Sequence, residues 1–118
     1  MSNLEDTLAF QLKAADIPFE QQVKVIPGRR FAFDFLLTGT NILVEVQGST
    51  WVANTGHTSG KGIKRDCEKA NLAVLAGYRV LTFTGDMVNN GEALQTITRL
   101  THTESGEDHH AIRAERGE

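Results

Sequence analysis

The stretch FAFDFLLTGTNILVEVQ, residues 31–47, sets an aspartate and a glutamate inside two apolar runs joined by a short polar turn. Runs of this length and composition, separated by Thr38-Gly39-Thr40-Asn41, read as a β-hairpin. With a loop of two or four residues, Leu37 faces Ile42, Phe35 faces Val44 and Asp34 faces Glu45, with Ala32 and Gln47 next along. A three-residue loop would shift this register. Directly opposed side chains lie about 4.5–5.5 Å apart at Cβ, so the two carboxylates stand side by side. Leu36 and Leu43 share their face, and Phe31, Phe33, Phe35, Val44 and Val46 are expected to line the other. Burying two like charges is costly unless something positive compensates them. Two arrangements meet that demand. One is a divalent cation such as Mg²⁺, which takes one or two carboxylates plus waters and substrate phosphates. The other is a solvated strand end, salt-bridged to Arg29, Arg30 or Lys69.

Around the hairpin the pattern alternates between helical and strand periods. Leu4, Leu8, Leu12 and Ala15 recur at helical spacing, and Ser2 with Glu5 matches a capping box, so a first helix begins near Asn3 and ends before Pro18. Glu20 to Ile26 reads as an edge strand closed by Pro27-Gly28, and a helix from about Ile63 stops at Gly77. Arg79 to Phe83 is a strand, and Asn90 caps a last helix carrying Leu94, Ile97 and Leu100. The order α-β-β-β-α-β-α predicts a mixed α/β domain over residues 1–102. Residues 103–118 hold few apolar side chains and read as an acidic, disordered tail.

Composition excludes several classes. The 118 residues suit one domain with one core, and no apolar run is long enough to span a membrane. The acidic, helix-like start is unlike a secretory signal, so a cytoplasmic location is expected. The single Cys67 rules out an internal disulfide and fits a reducing compartment; on its helix it is expected to pack as a small apolar residue. His57, Cys67, His102, His109 and His110 lack zinc-site spacing, and no P-loop or dinucleotide fingerprint is present, so no nucleotide cofactor is expected. The net charge of −3 argues at first sight against nucleic acid. The last 16 residues, however, hold five acids and two bases, leaving ten of each in residues 1–102. A neutral body must rely on a local basic surface, which makes nucleic-acid binding weak and salt-sensitive.

That surface is expected around His57 to Lys69, where Lys61, Lys64, Arg65 and Lys69 outnumber Asp66 and Glu68. Gly56, Gly60 and Gly62 let the backbone come close to a phosphate. Arg29 and Arg30 suit phosphate recognition through their planar forks, or a strand-edge salt bridge. Trp51 either packs its loop or stacks on a base, and His57 is either exposed or a proton carrier near neutrality. Asp66 and Lys69, one turn apart, can also pair with each other.

The order Asp34, then Glu45-Val46-Gln47, then a lysine-bearing helix resembles the PD-(D/E)xK nuclease superfamily. RRFAFDF, ILVEVQGSTW and GHTSGKGIKRDCEKANLAVLAGYRVLTFT further resemble small phage and bacterial endonuclease domains akin to the very-short-patch-repair branch, from about Glu5 to Val88. The resemblance implies a restriction-endonuclease-like mixed sheet flanked by helices, and cleavage of duplex, nicked, mismatched or branched DNA in a bacterial or phage-infected cell. It implies that Asp34, Glu45 and the carbonyl of Val46 hold Mg²⁺, with Mn²⁺ as a substitute, and that Glu5 orients a water; helix capping is the alternative role for Glu5. The family's lysine two residues after the glutamate is here Gln47, so Lys69, or second Lys61, would supply the positive charge. Cutting both strands would call for a homodimer or two successive events. The glutamine also keeps open a catalytically inactive module that binds nucleic acid or protein.

Overall fold

The computed structural model describes residues 3–47 and 60–104. Helix α1 (Asn3–Ala14) leads into β1 (Phe19–Val23), β2 (Phe33–Leu37) and β3 (Ile42–Gln47). Helix α2 (Gly60–Leu75), strand β4 (Arg79–Thr84) and helices α3 (Gly85–Asn89) and α4 (Glu92–Glu104) follow. The sheet order is β1-β2-β3-β4; β1, β2 and β3 run antiparallel in succession, and β4 is parallel to β3. A parallel pair needs a crossover, and α2 lies within it. No helix of the described residues is long and apolar enough to cross a membrane.

The β2–β3 turn sets the register as expected. Gly39 takes φ 83°, Thr40 N–H donates to Leu37 O at 3.0 Å, and the Thr40 hydroxyl accepts from Ile42 N–H at 3.0 Å. The resulting pairs are Phe35 with Val44 and Leu36 with Leu43. Asn41 then ties the starts of β3 and β4 together: its Nδ2 donates to Gly77 O at 2.8 Å and its Oδ1 accepts from the Arg79 guanidinium.

Alternation along the strands divides the core between the two faces of the sheet. On one face Phe35, Leu37, Ile42, Val44 and Phe83 pack against Leu8 and Leu12 of α1, Val88 of α3, and Ala93 and Ile97 of α4. On the other, Leu43, Phe31 and Phe33 pack against Ala73 of α2. The expectation that Phe31, Phe33 and Phe35 share one face is therefore wrong. Regular pairing of β2 with β3 covers Phe35 and Leu36, and before it Val46 N–H is taken by the Asp34 side chain instead of a β2 carbonyl. Phe33 lies beyond this break, toward α2, while Phe35 keeps to the α1 side.

Three further differences have local causes. Strand β1 stops at Val23 rather than reaching Ile26. A short helix, α3, interrupts the expected β-α ending because the Thr84 hydroxyl caps it, accepting from Met87 N–H at 3.3 Å. Cys67 is exposed rather than packed, because α2 touches the sheet mainly through Leu72 and Ala73. Helix α4 begins after Asn90, whose side chain accepts from Glu92 N–H as expected, and it runs to Glu104.

Phe35 is fully buried and meets Phe19 edge to face at 5.4 Å, whereas Phe10 is 72% exposed. Phe35→Ala is expected to cost about 3–5 kcal/mol. Phe10→Ala should cost under about 0.5 kcal/mol, as for a surface change. Urea unfolding of the two variants checks this contrast.

Candidate active site at the end of the central strands

Asp34 lies where β2 departs from regular pairing, and its carboxylate fills the gap. Oδ2 accepts from the Val46 backbone N–H at 2.8 Å. The Asp34 backbone in turn hydrogen-bonds the Glu45 carboxylate. The two acids are thus interlocked across the hairpin, through each other's strands rather than by simple opposition.

Each flanking helix then adds one charged side chain. From α2, Lys69 reaches across the sheet so that its Nζ lies 2.7 Å from Glu45 Oε2, with both side chains largely buried (21% and 15% exposed). The ammonium also sits 4.6 Å from the centre of the Phe33 ring, a favourable cation–π contact. From α1, Glu5 faces the same cluster. The Gln22 amide donates to Glu5 Oε2 and, at 3.5 Å, to Asp34 Oδ1.

Burial pushes the Glu45 carboxyl above the usual range; Lys69 and the Asp34 backbone pull it back, and the Asp34 charge pushes it up again. Burial also raises the Glu5 carboxyl, and the charge of Asp34 adds to the effect. Lys69 and Gln22 therefore compensate the acidic cluster only in part.

Of the residues expected in the site, the structure brings together Glu5, Asp34, Glu45, Val46 and Lys69. Gln47 ends β3 opposite Thr84, half-buried. Lys69 pairs with Glu45 and not with Asp66, and Arg29 pairs with Glu68 at 3.1 Å. Arg30, Lys64 and Arg65 are exposed near Arg29, away from the acids. Lys61 lies in the first turn of α2, and its side chain is outside the described residues. Trp51 and His57 fall in 48–59, also outside them. Sequence reasoning missed Gln22, because no spacing rule anticipates a glutamine at φ 52° bridging two carboxylates.

The donor set fits a hard divalent cation in kind: carboxylate oxygens from adjacent strands, with a third carboxylate nearby. Among the described residues no three His, Cys, Asp or Glu side chains close into a ready-made cage. Mg²⁺ does not require one, since it keeps several waters and takes one or two carboxylates.

The raised Glu5 carboxyl has a consequence for stability. Its folded-state affinity for a proton exceeds that of the unfolded chain, whose value is near 4.5. The ionised group thus costs stability at pH values above its folded pKa, and the cost disappears as pH falls below about 4.5. Glu5→Gln is expected to raise the melting temperature at pH 7 and to leave it unchanged well below pH 4.5. Thermal unfolding across pH 3.5–8 is the check; an equal gain at every pH would contradict this account.

No family model matches the chain, and no curated protein sequence matches it either. Among solved structures, the chain is similar to the catalytic domain of the homing endonuclease I-Bth0305I, with 25% identity and a TM-score of 0.64. The match covers 86% of this chain and 98% of that domain, so nearly the whole of that domain has a counterpart here. The mixed sheet flanked by helices is thus similar to a nuclease domain.

Proposed function

We propose that the protein is a metal-dependent endonuclease that hydrolyses DNA phosphodiester bonds, with a PD-(D/E)xK-like core. The observation that carries this reading is the interlock of Asp34 and Glu45 beside Lys69, in a fold that matches an endonuclease catalytic domain over nearly its whole length. Asp34, Glu45 and the carbonyl of Val46 would hold Mg²⁺, or Mn²⁺ in its place. The cation supplies Lewis acidity at the scissile phosphate and a more acidic water.

The chain's own residues do the remaining work. Glu5, kept more basic by burial and by Asp34, is suited to accept a proton from an attacking water, and Gln22 orients its carboxylate. Lys69, held between Glu45 and the Phe33 ring, is placed to stabilise charge that develops on the phosphate. Gln47 occupies the position of the superfamily's lysine; it can hydrogen-bond water or phosphate but supplies no charge.

The test is cleavage of plasmid and branched DNA in Mg²⁺ or Mn²⁺. Asp34→Asn and Glu45→Gln should each lower turnover at least about 100-fold while the proteins remain folded, in line with the loss of a group that stabilises the transition state. Mg²⁺ should raise the melting temperature of the parent and not of Asp34→Asn, because a ligand that binds only the folded state stabilises it. A parent that binds DNA but cuts none would favour the second reading, a nuclease-fold binding module, for which Gln47 at the lysine position is the supporting feature. Lys69→Met should reduce turnover more than Lys61→Met; equal losses would remove Lys69 from its role.

A further inference from the structure

The turn that precedes β2 and the first half of α2 enclose an open cavity of about 540 Å³, lined by Gly28, Arg29, Arg30, Phe31, Lys64, Arg65 and Glu68. It shares no residue with the carboxylate cluster. Residues 1–102 carry ten Lys and Arg against ten Asp and Glu, yet four of those ten cations line this one cavity beside a single acid. A neutral body has thus gathered a local charge of +3.

The cations are also arranged. Pro27 and Gly28 form a turn closed by Arg29 N–H to Ile26 O at 3.2 Å, with Gly28 at φ 77°, and this brings Arg29 and Arg30 to α2. Nothing lies within 4 Å of where a Gly28 side chain would begin, so the cavity mouth stays open. Phe31, only 8% exposed, forms the floor. The Arg29 guanidinium lies 4.7 Å from its ring centre and that of Arg65 5.6 Å. Guanidinium groups stacked on an aromatic ring are already ordered, so less side-chain freedom is lost when an anion binds. Arg29 is partly neutralised by Glu68, while Arg30 and Lys64 have no ion pair or hydrogen bond among the described residues.

We infer that this cavity is a discrete phosphate site that grips the backbone of nucleic acid, separate from the carboxylate cluster. The ligand is a phosphodiester group: the planar forks of Arg29 and Arg65 match its two free oxygens, and Arg30 and Lys64 provide unpaired charge. Glu68 holds the Arg29 fork when no phosphate is present and opposes binding. The inference rests on nucleic acid as the substrate, and its readout is binding rather than cleavage.

The experiment is a salt titration of duplex-DNA binding by fluorescence anisotropy, with the full chain and no divalent cation. Arg30→Ala combined with Lys64→Ala should weaken binding at least tenfold at low salt and reduce the slope of log K against log salt by about 1, the equivalent of the one phosphate the site holds. Both side chains are exposed, so an unchanged melting temperature should confirm folding. Glu68→Gln should tighten binding several-fold. Lys13→Ala with Arg99→Ala, the same charge change on α1 and α4 across the sheet, should have little effect. An unchanged slope in the cavity variant, or an equal loss in the α1 and α4 variant, overturns the inference. The readout needs neither a divalent cation nor cleavage, so a parent that cuts no DNA, while its cavity variant still loses affinity, separates the failure of one reading from that of the other.

Discussion

The site depends on one hydrogen bond: Asp34 Oδ2 accepting the Val46 amide where two strands stop pairing regularly. A backbone N–H in a half-buried strand must find a partner, and here a carboxylate takes the place of the neighbouring carbonyl. The exchange holds one acid rigidly at the end of the central strands and brings its main chain to Glu45. The remaining features of the site answer the charge so created. Gln22 bridges Asp34 to Glu5 from the edge strand, and Lys69 meets Glu45 from the helix. The compensation is incomplete, as the raised carboxyls of Glu5 and Glu45 show.

Helix α2 connects that site to the basic cavity. Arg65 and Lys69 are one turn apart, and Phe31 and Phe33 alternate along the chain that enters β2, so each cation meets one ring. The helix buries little else beyond Ala73 and part of Leu72, while Val74 is 62% and Leu75 82% exposed. Its placement thus owes much to cation–aromatic contacts and to the Lys69–Glu45 and Arg29–Glu68 pairs. These contacts are individually modest, but together they set the helix beside both the acids and the cavity.

Much of the hairpin was legible because side-chain period and turn length constrain each other. Gly39 and the four residues of the turn determine that Phe35 meets Val44, and this brings Asp34 near Glu45. The ends of α1 before Pro18 and of α2 before Gly77 were legible for a similar reason, since proline and a glycine at φ 99° break helices locally. The face switch between Phe33 and Phe35 was not legible. It falls where the Asp34 side chain takes the Val46 N–H in place of a strand carbonyl, an exchange that no side-chain period signals. Helix α3 escaped notice because five residues are too few to show a periodic pattern.

The sequence by itself determined that two carboxylates would sit in one apolar hairpin, that basic residues would follow on a helix, and that the body would be neutral. These depend on residue types and on spacings of a few positions, which local geometry converts directly into neighbours. Tertiary structure alone decided which cation answers which acid. Lys69 could have paired with Asp66 on its own helix, and Arg29 with the strand acids; instead Lys69 crosses to Glu45 and Arg29 to Glu68. The physical reason is that the pairing of flexible charged side chains depends on how α2 lies across the sheet. That placement is set by the packing of the helix's own Ala73 and Lys69 against Phe31, Phe33 and Leu43, which are distant in the chain, and no local spacing encodes it.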